Sequence, residues 1–419
     1  MDRFSFSHFS RRRGQLCVEE VPLTEVAQRF GTPCYVYSRT ALTAAFQSFD
    51  GAFGDKPHLV CYSVKANSNL ALLNLFARLG SGFDIVSGGE LRRVLAAGGD
   101  ARKVVFSGVG KSAEEIRQAL EARILCFNIE SQAELRRVSE VASAARMTAD
   151  VSVRVNPDVD PKTHPYISTG LKQNKFGVPF QDALALYREA ARQPGIRLVG
   201  IDCHIGSDIA AMPPFLDALA KLLELVDRLI AEGIRIDHLD LGGGLGIRYR
   251  DEDPPAPREY VSALLQVLKG YPLKVLLEPG RALVGNAGAL LTRVEYLKRS
   301  DGRDFAIVDA AMNDLLRPAL YGAWHDIQPV ELRAGVARRY EVVGPICESA
   351  DFLGHDRELA VEQGDLLAVM SAGAYGMSMS SNYNTRPRAP EIMADGSRLH
   401  LIRSRESVDQ LFALERLLP

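Results

Sequence analysis

Between residues 58 and 277 the chain alternates short apolar runs with amphipathic segments. The runs, typical of buried strands, occupy 58–64, 83–86, 103–106, 124–128, 151–155, 198–203, 238–241 and 273–277. Helical periodicity follows between them, most clearly from Phe215 to Ala231, where apolar residues recur on one face. This alternation predicts a parallel sheet covered by helices.

The number of strands and their spacing favour a closed barrel. Eight strands alternating with helices over about 230 residues are typical of a (β/α)8, TIM-like barrel. A doubly wound sheet is the alternative, but its glycine-rich first βα turn is missing. We therefore predict an α/β fold with a barrel over residues 32–285.

After residue 285 the pattern changes to short runs of β-branched and aromatic residues separated by Gly, Pro and Asp. This pattern predicts an all-β domain. Residues 1–31 fit no barrel unit and read as irregular, with one short strand at Leu16 to Val18. We assign 1–31 and 286–419 to one β domain, with the barrel inserted into it.

Composition limits the class of protein. The chain has 419 residues, 47% hydrophobic and 24% charged, with a net charge of −2, so no basic surface for nucleic acid or anionic lipid is expected. No signal peptide or membrane-spanning run is evident. The six cysteines lack CxxC spacing, which argues against a disulfide framework or a zinc site, and we predict no metal. These features indicate a cytoplasmic enzyme.

Candidate chemistry lies where the predicted strands end, because barrel active sites are built at the C-terminal ends of the strands. Functional side chains or glycines follow six of the eight runs. The ones that matter most are Lys65 after strand 1, His204 and Ser207 after strand 6, Gly242, Gly243 and Gly244 after strand 7, and Glu278, Gly280 and Arg281 after strand 8.

Lys65 ends a buried apolar run. A desolvated lysine loses its proton more readily and can attack a carbonyl to form a Schiff base. Taken alone, Lys65 could equally reach solvent from the strand end. In a barrel, however, strand 8 adjoins strand 1, and loops after strands 7 and 8 commonly bind phosphate. An imine-forming lysine beside a phosphate site describes pyridoxal 5′-phosphate.

Glu278 bears on the type of reaction. A carboxylate facing the pyridine nitrogen keeps it protonated and favours a carbanion at the substrate Cα, whereas an arginine there would suit racemisation. The alternative is an ion pair of Glu278 with Arg281. His204 could lie flat on the cofactor ring or be an ordinary core histidine, and the glycine run could be a plain tight turn.

In the predicted β domain, Cys347 and Glu348 stand on a sharp turn, Gly344 to Ser349. A thiol is a competent proton donor to a carbanion left by decarboxylation, although a buried structural cysteine is the default for the others. Tyr375 stands in a small-residue turn, and Arg317 and Tyr321 form a further polar cluster.

The motifs YSVKAN, GFDIVSGGE, CHIGS, DLGGGLG, EPGR, GPICES and GAYG resemble those of the fold-type III pyridoxal-phosphate decarboxylases, in the family's order from about residue 30 to 405. The resemblance implies an alanine-racemase-like barrel with a C-terminal β domain. It also implies a homodimer with shared active sites, in which Cys347 and Glu348 reach the barrel of the partner subunit.

The resemblance also implies a role for each candidate residue. Lys65 would hold the cofactor covalently, and Glu278 would face its pyridine nitrogen. His204 would stack on the ring. The residues at or near the phosphate would be Ser207, Gly242 to Gly244, Gly280, Arg281 and Tyr375. The residues in contact with the substrate would be Arg281, Arg317, Tyr321 and Tyr375, with Glu348 binding the distal ammonium of the substrate. Cys347 would be the proton donor.

The distal end of the substrate follows from charge. Arg281 and Arg317 offer two partners for a carboxylate and Glu348 one for an ammonium, so a second amino-acid head is expected. A decarboxylase for ornithine or arginine, or a non-catalytic cofactor-binding paralogue, remains an alternative. The chain has Asp208 where the family usually has Gln, outside the reacting core, and we expect little effect on chemistry.

Overall fold

The computed structural model describes residues 8–160, 175–300 and 302–419. The chain divides into two compact units. The barrel unit comprises Ala45–Ile247 and Asp253–Ala282, and the β unit comprises Arg248–Glu252, Leu283–Pro419 and the described part of Met1–Ala44.

The strands, in chain order, are β1 Phe9–Arg12, β2 Gln15–Val18, β3 Val21–Pro22, β4 Cys34–Ser38, β5 His58–Ser63, β6 Gly82–Ile85, β7 Val104–Phe106, β8 Cys126–Ile129, β9 Ala149–Asn156, β10 Val178–Pro179, β11 Ile196–Asp202, β12 His238–Asp240, β13 Lys274–Leu277, β14 Gly288–Ser300, β15 Arg303–Val308, β16 Ile327–Pro329, β17 Arg338–Val343, β18 Phe352–Leu359, β19 Leu366–Val369, β20 Glu391–Asp395 and β21 Arg398–Arg403. The α-helices are α1 Leu23–Phe30, α2 Arg39–Asp50, α3 Leu70–Arg78, α4 Gly88–Ala96, α5 Ala113–Ala122, α6 Gln132–Ala145, α7 Phe180–Ala190, α8 Pro213–Ala231, α9 Pro257–Val267, α10 Arg281–Val284, α11 Arg317–Tyr321 and α12 Val408–Phe412. Short 3₁₀ turns occupy Gly51–Phe53, Val64–Ala66, Ala101–Lys103, Met377–Met379 and Tyr383–Thr385.

The barrel unit is a closed parallel sheet. Its strands pair in the order β5-β6-β7-β8-β9-β11-β12-β13, and β13 pairs back onto β5, so the sheet has no open end. An α-helix lies between each pair of successive barrel strands. The predicted barrel is confirmed, and each of the eight predicted runs overlaps one of its strands.

Local sequence accounts for these elements. The strands bury apolar side chains inside the barrel, among them Leu59, Val105 and Leu276. Ser112 caps α5 with Glu115 in a capping box, and Ser87 and Ser131 cap the helices before and after it. At these three connections a serine begins the helix that leads the chain away from the strand end.

The β unit contains a second mixed sheet in the order β18-β17-β15-β14-β4-β20-β21, with β19 paired to β14 and β16, and a small sheet β1-β2-β3. The predicted second domain is confirmed as mostly β, and it also contains the helices α1, α11 and α12. Buried apolar residues from its sheets and from α1 share one core, which includes Val18, Leu23 and Leu291.

Two segments differ from the sequence interpretation. The stretch 1–31 contains more regular structure than predicted, since its described part forms β1, β2, β3 and the helix α1. The barrel boundary at residue 32 leaves β4 on the barrel side, whereas its backbone pairs with β14 and β20 in the second sheet.

No helix within the described ranges is both long and apolar enough to cross a membrane.

Candidate functional site

Lys65 lies in a 3₁₀ turn that directly follows β5, at the C-terminal rim of the barrel. Its Nζ is 2.6 Å from Asp84 Oδ2, at the end of β6, and its side chain keeps 34% of its surface exposed. Ser63 donates to the same Asp84 oxygen at 2.7 Å and to the backbone oxygen of Glu278 at 3.0 Å. The amine is therefore held by a buried carboxylate and is still reachable from solvent.

Glu278 follows β13, the strand that adjoins β5. Burial raises the pKa of this carboxyl well above its usual range; the charges of Asp240, Asp84 and Asp202 raise it further, and Lys65 opposes them. Its Oε1 is buried and has no hydrogen-bond partner in the described residues.

His204 follows β11 and is half-buried. Its Nδ1 accepts the backbone N–H of Gly243 at 3.2 Å, which leaves the ring proton on Nε2. Burial lowers its pKa well below the usual value, with the charges of Arg154 and Lys65 adding to the effect. The ring is therefore neutral at physiological pH and fixed in one orientation.

The glycines after β12 are required by close packing. A Cβ would lie 2.5 Å from Cys203 O at Gly242, 2.2 Å from Glu278 O at Gly243 and 2.4 Å from Gly206 O at Gly244. Gly242 and Gly244 also have positive φ angles of 64° and 105°. Two of the turn's N–H groups bond within the protein, from Gly242 to Asp240 and from Gly243 to His204.

A Gly243→Ala variant should destabilise the barrel by roughly 1–3 kcal/mol, because the new methyl group meets a backbone oxygen that cannot move aside. Urea unfolding followed by circular dichroism measures the change. Gly110→Ala is the matched control, since a Cβ there meets nothing within 4 Å. An unchanged unfolding midpoint for Gly243→Ala would show that the turn is not closely packed.

Arg281 begins α10 and is 6% exposed. Its Nη2 donates to Ser207 Oγ at 3.1 Å, and its Nε lies 3.6 Å from Asp208 Oδ1. Gly280 packs closely on the lysine turn, since a Cβ there would be 3.0 Å from that of Ser63. The predicted phosphate-side residues of the barrel unit are thus neighbours at one rim, and Asp208 adds a carboxylate to them.

In the β unit, Arg317 begins α11 and is buried. Its Nη1 bonds His325 Nε2 at 2.9 Å, and its guanidinium lies 4.7 Å from the centroid of the Tyr249 ring. Because His325 accepts through Nε2, its Nδ1 donates to Met370 O at 2.9 Å. Tyr321 ends the same helix. The guanidinium is thus held by a stacked ring and a histidine of fixed tautomer.

Cys347 and Glu348 lie on an exposed turn after β17. Asp351 shapes this turn, with Oδ2 accepting the N–H of Ile346 at 2.8 Å. Asn384 Oδ1 accepts the Cys347 N–H at 2.9 Å, and the Tyr383 hydroxyl donates to Glu348 at 3.2 Å. Cys347 is the exposed free thiol among the six cysteines; the other five are buried.

Tyr375, in the turn after β19, has a φ of 56°, a left-handed conformation uncommon for a bulky residue. Two glycines of the same turn, Gly373 and Gly376, are closely packed. A Cβ added at Gly373 would lie 1.9 Å from Val284 O, and one added at Gly376 would lie 2.5 Å from Ala372 O. Such strain is typical of functional turns.

Sequence reasoning missed several residues that organise these groups. Asp84 holds the Lys65 amine, Asp240 bonds the glycine turn, and Asp351 shapes the cysteine turn. Asp84 and Asp240 could have been found in the sequence by their positions at strand ends, the same criterion that identified Lys65. Asp351 gave no signal, since it lies in a loop.

The barrel residues fit pyridoxal 5′-phosphate. Lys65 offers a reachable amine, and the unpartnered Oε1 of Glu278 offers an acceptor that a protonated ring nitrogen would satisfy. A closed barrel with such a lysine and such a carboxylate at its rim is typical of a pyridoxal-phosphate enzyme. The family described as "Pyridoxal-dependent decarboxylase, pyridoxal binding domain" matches residues 39–285 of the chain.

Relatives narrow the class. The chain is 57% identical to the diaminopimelate decarboxylase of Vibrio cholerae, with 100% of each chain covered, and 59% identical to that of Pseudomonas aeruginosa, with 98% and 99% covered. The crystal structure of Helicobacter pylori diaminopimelate decarboxylase complexed with L-lysine matches with a TM-score of 0.91 at 42% identity, covering 94% and 99%. The chain belongs to the diaminopimelate decarboxylases, the carboxy-lyases of the final step of lysine biosynthesis.

Proposed function

We propose that the residues at the barrel rim, with those of the β unit, convert meso-2,6-diaminopimelate to L-lysine and CO2. The observation that carries this assignment of roles is the pairing of a reachable Lys65 amine with a buried carboxylate oxygen of Glu278 that has no partner in the described part of the chain. Pyridoxal 5′-phosphate, when bound, supplies an electron sink for the carbanion that loss of CO2 leaves at Cα.

Lys65 attaches the cofactor through Nζ. Asp84 holds this nitrogen at 2.6 Å and so fixes the direction from which it reacts. Glu278 would accept a hydrogen bond from the pyridine nitrogen and keep it protonated. The neutral ring of His204, oriented by the Gly243 N–H, would face the cofactor ring without adding a competing charge.

The phosphate is held at the rim by Ser207, the turn Gly242 to Gly244, Gly280 and Arg281, with Tyr375. Arg281 already donates to Ser207 Oγ at 3.1 Å, so the two side chains are positioned to act together. The N–H groups of Gly242 and Gly243 already bond Asp240 and His204, so within this turn we assign the contact with a phosphate oxygen to the N–H of Gly244.

The far end of diaminopimelate is bound by groups of opposite charge. Arg317 and Arg281, with Tyr321 and Tyr375, contact its distal carboxylate, and Glu348 accepts from its distal ammonium. The fixed guanidinium of Arg317 loses little side-chain freedom on binding, which supports its role in recognition. Cys347 then delivers a proton to Cα.

Two copies of the chain complete each other's sites, with Cys347 and Glu348 supplied by the second copy. The exposure of both side chains on one turn supports this dimeric arrangement. The enzyme works in the cytoplasm.

The substrate assignment predicts a large difference between related amino acids. With diaminopimelate, purified enzyme should release CO2 at least about 100-fold faster, as kcat/KM, than with lysine, ornithine or arginine, since these lack the distal carboxylate that Arg317 and Arg281 are proposed to bind. Separate assays of CO2 release with each amino acid measure the ratio. Comparable rates with ornithine would contradict the assignment.

A further inference from the structure

Three carboxyl groups are buried side by side in the barrel. Asp202 ends β11, Asp240 ends β12 and Glu278 follows β13, and one oxygen of each lies within 4.8 Å of the others. Asp240 Oδ1 accepts the N–H of Gly242. Asp240 Oδ2 and Glu278 Oε1 are buried and have no hydrogen-bond partner in the described part of the chain. Two ionised carboxylates have no hydrogen to share, so a hydrogen bond between neighbouring carboxyl groups requires a proton on one of them.

The charged groups that face the cluster compensate its negative charge only in part. Lys65 pairs with Asp84 at 2.6 Å, and Arg154 pairs with Glu130 at 3.3 Å. Arg154 also lies 3.9 Å from Asp202. Each of these two cations is therefore already engaged by an acid. Like charges at such short range in a dry interior cannot all ionise, and a proton is retained.

The titration of Asp240 agrees with this geometry. Burial raises its pKa to about 7, with Asp84 adding to the rise, while the Gly242 N–H and Arg154 oppose it. The pKa of Glu278 is raised as well, mainly by burial and by Asp240.

We propose that Asp240 is a positioning residue for Glu278: the two carboxyl groups hold one proton between them, and this bond fixes the Glu278 side chain with Oε1 directed to the cofactor site. The bond from Gly242 anchors Asp240 at its other side, so the glycine turn, Asp240 and Glu278 form one connected chain of hydrogen bonds. The part of the inference that concerns the cofactor rests on the proposed role of Glu278.

Infrared spectra of the coenzyme-free protein test the shared proton. The difference spectrum between the unsubstituted protein and Asp240→Asn at pH 7 should show loss of one carbonyl stretch of a protonated carboxyl group, and Glu278→Gln should lose the same band. Asp202→Asn should keep it. A band that survives in Asp240→Asn, or that disappears only in Asp202→Asn, would overturn the proposal.

Affinity for pyridoxal 5′-phosphate tests the positioning. In Asp240→Asn the amide N–H replaces the proton, so the dissociation constant should stay within about threefold, whereas Asp240→Ala should raise it roughly tenfold or more. Equal affinity in Asp240→Ala would overturn the positioning role; should that variant fail to fold, the infrared result with Asp240→Asn decides. Failure of the proposed function would instead show as cofactor binding that does not depend on Lys65.

Discussion

Replacing Lys65 with alanine is expected to lower kcat for decarboxylation by at least about 10⁴-fold, the scale seen when a covalent catalyst is removed. The side chain supplies the amine that attaches the cofactor, and Asp84 would be left buried without its 2.6 Å ion pair. The remaining groups at the rim can still bind the cofactor through its phosphate. Without Lys65, however, the aldehyde carbon of the cofactor is no longer joined to the protein.

The measurement is a steady-state CO2 assay together with the visible absorption of the cofactor-bound protein. In Lys65→Ala both the turnover and the absorption of the lysine-bound cofactor should disappear. Lys103→Ala is the matched control, since this half-buried lysine precedes β7 and donates to the backbone oxygen of Gly80, and it should behave as the unsubstituted enzyme. Turnover within tenfold of normal in Lys65→Ala would remove Lys65 from its role.

Replacing Cys347 with alanine should lower the rate of lysine formation by about 10²–10⁴-fold, the range typical for loss of a general acid. The thiol is exposed on a turn whose backbone is fixed by Asp351 and Asn384, so the fold itself should survive the change. Because the step affected is proton delivery, kcat should fall while KM stays within a few-fold.

Ser349→Ala, two positions further along the same exposed turn, is the control and should keep full activity. Cys347→Ser should recover little, since a hydroxyl is a much weaker acid than a thiol. A Cys347→Ala enzyme with nearly normal kcat would show that another group delivers the proton.

Sequence alone predicted the barrel because its signals are local. Each buried strand of a parallel sheet is a short apolar run, and each run was visible, from His58–Ser63 to Lys274–Leu277. The order of the strands then followed from the usual connection of a strand to its next neighbour.

Elements that depend on distant partners were not predictable in the same way. Cys34–Ser38 reads as one more short strand, and only its pairing with β14 and β20, more than 200 residues away, assigns it to the second sheet. The helix Leu23–Phe30 is short and begins at Pro22 without a side-chain cap, so its periodicity was too brief to recognise.

For the candidate site, sequence identified residue types at strand ends but not their partners. Asp84, Asp202 and Asp240 are ordinary acidic residues in the sequence, and only closure of the barrel brings their charges onto Glu278. The glycines after β12 were expected to admit an anion; the structure shows that they are also needed where three loops pack. The composition of loop 157–178, rich in Pro, Gly and Lys, also predicts an active-site lid; most of this loop, including His164 and Tyr166, lies outside the described residues.

Covalent attachment of the cofactor to Lys65 can be measured directly. The cofactor-loaded enzyme is reduced with borohydride, digested and analysed by mass spectrometry. We expect one modified peptide, containing Tyr62 to Asn67, with the pyridoxyl phosphate group on Lys65. Modification of a different lysine, or a protein that stays unmodified after loading, would contradict it.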